Sequence, residues 1–208
     1  MTEDNDLIFY YAPQSRASGT LALLEELGAP YKLHLLNLRT GDSRKPEYLA
    51  INPMGKVPAI VHKGTLVTEQ PAVYLYLADL FPEAGLTPSI GDPLRGAYLR
   101  WMVFYGSSLE PAVMDKSQNR EASPVQSPYG SYDAVVKVVL EQLAQGPYLL
   151  GEKFTAVDVL WGTALRWLTM FKLFPNTPEV QAYVARVTSR PAFVRTAAKE
   201  AELLASLG

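Results

Sequence analysis

The chain has 208 residues, 48% of them hydrophobic and 19% charged, with a formal net charge of −2. That balance suits a globular protein with one large core or two small ones and excludes disordered and fibrous classes. A small negative charge without any basic block argues against nucleic acid as a partner, and the absence of cysteine removes disulfides, thiolate metal sites and a cysteine nucleophile.

The opening residues, MTEDND, are polar and acidic, whereas a secretory signal begins with positive charge followed by an apolar block. The expectation is a cytoplasmic protein. Residues 7–11, LIFYY, read as a buried strand, and alternation along it buries one of Tyr10 and Tyr11. Pro13 then turns the chain into a helix with Ala17, Leu21, Leu24 and Leu27 at helical spacing, stopped by Gly28. Glu25 and Glu26 read as its solvated face. YKLHLLN alternates as a second strand, and PEYLAI forms a short helix ended by Asn52 and Pro53. VPAIVH and TLVT flank Lys63 and Gly64 as a tight hairpin, and Pro71 suits the first turn of a helix running to Phe81.

Composition then changes. Residues 82–93 are rich in proline and glycine without periodicity, which reads as a linker between a first domain, residues 1–81 (βαβ then ββα), and an all-helical domain, residues 94–208. The fold class is therefore α/β followed by all-α. In the second domain a long helix runs from about Pro93 to Pro111, a polar loop covers residues 115–129, and a further helix spans Gly130 to Gln145. The clearest helix start is FTAVDV, where Thr155 caps and Asp158 at the third position reaches back. Its most apolar continuation, VDVLWGTALRWLTMF, is broken by Asp158 and Arg166, short of the roughly 18 uninterrupted apolar residues that a membrane span needs.

Three segments can carry chemistry. FYYAPQSRAS places Tyr10, Tyr11, Ser15, Arg16 and Ser18 around a proline bend before a helix, where Ser15 is either a reactive hydroxyl or an ordinary N-cap. NPMGKVPAI puts Pro58 at a strand start; if Val57–Pro58 is cis, the Val57 N–H and C=O face outward and can pair with an extended peptide. The alternative is a strand start with no ligand. Glu69-Gln70-Pro71 marks a strand-to-helix junction whose free N–H groups suit a carboxylate, with Glu69 able to hold an ammonium beside it; otherwise Glu69 merely complements the helix dipole. His34 and His62 lack a second ligand at a diagnostic spacing, so no metal site is read. Trp101, Phe104, Tyr105 and Ser108 recur every three to four residues, as either a core stripe or a pocket wall.

The order of strand, proline bend with Ser, helix, NPMGKVPAI, hairpin, EQPAVYLYL, linker and a helical half with GEKFTAVDV resembles the cytosolic glutathione S-transferases over essentially the full chain. The resemblance is to bacterial members and implies a serine-type active-site motif. This resemblance implies a thioredoxin-like N-terminal domain, a helical C-terminal domain and a homodimer. It implies that Val57 pairs with the cysteinyl backbone of glutathione, that Pro58 shapes that turn, that Glu69 and Gln70 hold the γ-glutamyl end, and that Lys56 reaches toward the glycyl carboxylate. Ser15 is then the residue expected to activate the thiol, because YYAPQS has the shape of the motif in the serine-using delta class; Arg16, Tyr10 and Tyr11 are the runners-up. Tyr11 and Pro13 with Trp101, Phe104, Tyr105 and Ser108 are the expected electrophile pocket. The chain departs from the family in carrying Gln70 where Ser is common, and Arg16 where the beta class has its cysteine. The expected function is a detoxifying transferase using glutathione as co-substrate to attack a small apolar electrophile. Its alternatives are a binding or interaction module without turnover, or a glutathione-dependent dehalogenase, peroxidase or isomerase.

Overall fold

The structure, a computed structural model, describes residues 6–208, so all but the last of the acidic opening residues on which the cytoplasmic expectation rests lie outside the described residues. The chain forms two compact units: the segment up to Ala84 together with Pro191–Gly208, and Gly85–Arg190.

In the first unit, β1 (Leu7–Tyr11) is followed by α1 (Ala17–Leu27), β2 (Lys32–Leu35), a short α2 (Pro46–Leu49), β3 (Ala59–His62), β4 (Thr65–Val67) and α3 (Gln70–Leu80). The four strands lie in the order β2-β1-β3-β4. β1 runs parallel to β2, with Phe9 opposite Leu33, and antiparallel to β3, with Tyr10 opposite Ala59; β3 and β4 form the hairpin expected around Lys63 and Gly64. This is the thioredoxin-like order. β1 departs from the expected alternation, because Tyr10 and Tyr11 are both buried, at 6% and 0% exposure. Both faces of the strand are covered: Tyr10 packs with Leu36, Tyr48 and Ala59 on one side, while the fully buried Phe9 and Tyr11 meet ring to ring on the other. A strand covered on both faces carries a continuous apolar run, which is what LIFYY supplies.

The second unit is helical: α4 (Arg95–Phe104), α5 (Glu110–Ser117), α6 (Tyr132–Leu143), α7 (Ala156–Met170) and α8 (Pro178–Thr188). The long helix expected to end at Pro111 instead continues through a π-helical turn, Tyr105–Leu109, into α5, whose first turn contains that proline. The first turn tolerates proline because its N–H has no intrahelical acceptor there. Trp101 and Trp161 centre the core of this unit, with rings edge to face at 5.3 Å and the Trp161 indole N–H donating to the Trp101 carbonyl at 3.1 Å. Gly162 of α7 sits where any Cβ would lie 2.5 Å from Val187, so α7 and α8 approach more closely than a side chain permits. The expected capping box is present, the Thr155 N–H donating to Asp158 Oδ2 at 2.9 Å.

The last helix, α9 (Pro191–Ser206), packs on α1 within the first unit. The contact involves Glu25, which read from sequence as part of a solvated face. Its carboxylate instead accepts from Arg195 Nε at 3.3 Å and lies 3.6 Å from Lys199 Nζ. Helical periodicity within α1 gives no sign of a partner helix so far along the chain. None of the described helices is long and apolar enough to cross a membrane.

Candidate functional site

Strand pairing brings three segments to one end of the sheet. β1 ends at Tyr11 and delivers the bend Ala12–Arg16; β3, antiparallel to it, begins just after Val57–Pro58; β4, antiparallel to β3, ends just before Glu69 and Gln70. All three belong to the first unit.

In the bend, Pro13 is buried, Ser15 is partly exposed and Arg16 is exposed. Gln14 takes a left-handed backbone conformation (φ 54°), uncommon for a residue with a side chain. The Ser15 hydroxyl donates to the Ala12 carbonyl at 2.7 Å and accepts from the Ala17 N–H at 3.1 Å, so it closes the bend and satisfies an orphan donor at the start of α1. A carboxylate from α9 completes the arrangement. Oε1 of Glu200 accepts from the Gln14 N–H at 2.8 Å, the Tyr11 hydroxyl at 2.9 Å and the Ser18 hydroxyl at 2.5 Å. Burial first, and then the neighbouring Glu200 charge, push the Tyr11 phenol well above its ordinary range, so Tyr11 stays protonated and donates. Glu200 was not legible as a site residue, because it lies nearly 190 positions from Tyr11 in a helix with no motif of its own.

The second segment is anchored from below. The Lys56 carbonyl accepts from the Tyr48 hydroxyl at 2.6 Å and from Asn52 Nδ2 at 2.9 Å. Gly55 lies against the backbone, where an added Cβ would meet the Ser43 carbonyl oxygen at 2.5 Å, and its φ of 59° also favours glycine. The Val57–Pro58 peptide is cis. Among the described residues no hydrogen bond engages the Val57 N–H or C=O, and the Lys56 side chain is exposed.

At the third segment Glu69 is exposed, without a side-chain partner among the described residues, and holds a positive φ of 62° while capping α3. A strained backbone of this kind persists where its surroundings fix it, and such positions cluster at ligand sites. Gln70, in contrast, is buried at 9%, and its amide donates to the Arg16 carbonyl at 3.0 Å, tying the start of α3 to the Ser15 bend. The α3 N-terminus presents the Ala72 N–H, which lacks an intrahelical acceptor by position.

The stripe of Trp101, Phe104, Tyr105 and Ser108 runs from α4 into the π turn, within the second unit. Trp101 and Tyr105 are buried at 1% and 4%, Trp101 against Trp161, with the Tyr105 hydroxyl donating to Glu110 at 2.7 Å; Phe104 and Ser108 keep partial exposure. His62 accepts or donates a 2.7 Å hydrogen bond with Tyr76, and His34 packs on Tyr10. Among the described residues no group of three or more His, Cys, Asp or Glu is placed to hold a metal ion.

Residues 15–80 match the family model described as glutathione S-transferase, N-terminal domain, and residues 104–191 the model described as glutathione S-transferase, C-terminal domain. The disulfide-bond oxidoreductase YfcG of Escherichia coli strain K12 is 28% identical over 197 residues, spanning 88% of this chain and 90% of its own. The glutathione S-transferase GstA of Escherichia coli O157:H7 is 26% identical over 193 residues, with 88% and 92% covered. Among solved structures, a glutathione transferase from Methylococcus capsulatus strain Bath is 28% identical with a TM-score of 0.78, covering 94% of this chain and 98% of that one. A glutathione transferase homologue from Sulfitobacter, solved with bound glutathione, is 26% identical with a TM-score of 0.72, covering 93% and 97%.

Proposed function

The chain belongs to the glutathione S-transferase family, and from that premise we propose that its first unit binds glutathione across the three converging segments and that Ser15 activates the thiol. The protein is a glutathione transferase with glutathione as co-substrate. The observation that carries the site reading is the convergence itself: at one end of one sheet stand the Ser15 hydroxyl and, without partners among the described residues, the Val57 backbone and the Glu69 carboxylate. In this reading the Val57 N–H and C=O pair with the cysteinyl backbone, beside Pro58. Glu69 takes the γ-glutamyl ammonium, and the N-terminus of α3 takes the adjacent carboxylate. Lys56 faces the glycyl carboxylate. Gln70 contributes through the Arg16 carbonyl, holding α3 to the bend.

The chemistry is a transfer of one hydrogen bond followed by attack. The Ser15 O–H turns from the neutral Ala12 carbonyl to the sulfur of glutathione as the thiol proton leaves to solvent. A hydrogen bond to an ionised acceptor is about twice as strong as one between neutral groups, so the exchange favours the thiolate. Each unit by which the thiol pKa falls corresponds to about 1.36 kcal/mol. The sulfur lone pair then forms the S–C bond to a small apolar electrophile as the leaving group departs with its electron pair. Within the second unit, Phe104 and Ser108 are the members of the expected pocket wall that keep partial exposure. A second copy of the chain completes a homodimer in the cytoplasm.

A second reading has one observation in its favour: the Ser15 hydroxyl is satisfied within the bend, as it would be in an interaction module that binds without turnover. Melting the protein with and without glutathione, alongside a panel of electrophiles and one small disulfide, separates the readings. Glutathione at a hundredfold excess over its dissociation constant stabilises the native state by about 2.7 kcal/mol. A raised melting temperature with turnover of at least one panel member is expected. A raised temperature without turnover favours the module, and no shift at millimolar glutathione overturns the site.

A further inference from the structure

We propose that Glu200 is the positioning residue of the thiol-activating bend, holding Ser15 in register through the Gln14 backbone; the proposal rests on the glutathione reading above. One oxygen, Glu200 Oε1, accepts the Gln14 N–H, the Tyr11 hydroxyl and the Ser18 hydroxyl, and these three donors bracket Ser15 in the chain. Gln14, directly before Ser15, has a φ of 54°. A residue with a side chain leaves that region unless its surroundings hold it. The only hydrogen bond the Gln14 N–H makes among the described residues is to Glu200. Release of that N–H lets Gln14 relax, and the direction of the Ser15 Cα–Cβ bond changes with it.

The carboxylate is itself well placed to do this. α9 is tied to α1 by Arg195 Nε to Glu25 Oε2 at 3.3 Å and Lys199 Nζ to Glu25 Oε1 at 3.6 Å, and to the segment after α1 by Lys199 Nζ to the Tyr31 hydroxyl at 2.7 Å. Ala192, Phe193 and Thr196 form its buried face. Thus the acceptor is carried by a helix packed on α1 rather than by the bend that it restrains. Charge and position make opposite demands here, which makes them separable. A negative charge beside the thiol site opposes thiolate formation, so a role through charge would make its removal helpful. A role through position needs only an acceptor oxygen at the right reach.

Glu200→Gln keeps the reach and removes the charge, whereas Glu200→Asp keeps the charge and withdraws the oxygen by one methylene. The thiolate absorbance of glutathione bound to each variant is titrated against pH, with kcat and the KM for glutathione measured alongside. Glu200→Asp is expected to raise the apparent pKa of the bound thiol and to lower kcat about three- to tenfold below that pKa, with KM little changed, since a rise of one unit cuts the thiolate fraction about tenfold there. Glu200→Gln is expected to keep a pKa at or slightly below the wild-type value. With Ser15→Ala as background, Glu200→Asp should add nothing further, because two residues acting through one hydroxyl are not additive. A wild-type pKa in Glu200→Asp, or a loss in Glu200→Gln as large as in Glu200→Asp, overturns the positioning role while leaving glutathione binding intact. If the wild-type protein does not bind glutathione, the site reading falls and this inference with it.

Discussion

Replacing Asp158 by Ala removes the most heavily used carboxylate in the second unit. Asp158 is fully buried, and its Oδ1 accepts from the Leu149 N–H at 2.9 Å and the Tyr183 hydroxyl at 3.0 Å. Its Oδ2 accepts from the Thr155 N–H at 2.9 Å and the Thr155 hydroxyl at 3.2 Å. Leu149, Thr155 and Tyr183 are themselves at most 2% exposed, so water does not replace the lost acceptor. Each buried donor left unsatisfied costs about 1–3 kcal/mol, and four of them, offset in part by no longer burying a carboxylate, give a loss of about 3–6 kcal/mol. That is a large share of the roughly 5–15 kcal/mol that holds a native protein together. Urea unfolding followed by tryptophan fluorescence reads it directly, since Trp101 and Trp161 report on this unit. A loss below about 1 kcal/mol would refute the reasoning by showing that the donors find other acceptors. The same carboxyl has a pH signature. Burial pushes it up to about 6 against the four hydrogen bonds that hold it down. With the folded value above the unfolded one, its stabilising contribution is fully present below about pH 4 and is lost as the pH rises through about 6. The stability difference between wild type and Asp158→Asn should therefore shrink across that window, and a difference that grows would reverse the assignment.

Two further substitutions separate grip from chemistry. Glu69→Ala should raise the KM for glutathione about tenfold or more at nearly unchanged kcat, because a hydrogen bond to a charged group contributes about 1.5–3 kcal/mol and this one lies far from sulfur; steady-state kinetics over glutathione concentration checks it. Gln70→Ser should keep glutathione affinity but lose about 0.5–1.5 kcal/mol of first-unit stability in urea, since the hydroxyl is too short to reach the Arg16 carbonyl. Loss of binding with unchanged stability would instead place the Gln70 amide on the ligand.

The parts of this structure that follow from local chemistry were legible in the sequence. LIFYY, the Lys63–Gly64 hairpin and the Thr155–Asp158 box lie where their patterns put them, because each is decided by neighbours within a few positions. What escaped is what tertiary contact decides. The burial of both Tyr10 and Tyr11 depends on cover over both sheet faces, which no strand pattern contains. The π turn Tyr105–Leu109 carries the chain past the position where Pro111 alone reads as a stop and leaves that proline in the first turn of α5. Glu25 reads as a solvated residue until α9 arrives beside it. No local pattern carries the hydrogen bond from the Gln70 amide to the Arg16 carbonyl, and Glu200 has no local signal although Tyr11, Gln14 and Ser18 all donate to it.

The central claim is that Ser15 lowers the pKa of the glutathione thiol, and the most direct measurement is the thiolate absorbance of bound glutathione against pH in wild type and Ser15→Ala. An ordinary cysteine thiol titrates near 8.5. Wild type should titrate below that value, and Ser15→Ala should titrate higher than wild type while glutathione affinity is roughly kept. Identical titrations in the two proteins, with a shift instead in Arg16→Ala or Tyr11→Phe, would leave Ser15 as only the cap of α1 and move the activating role to that residue.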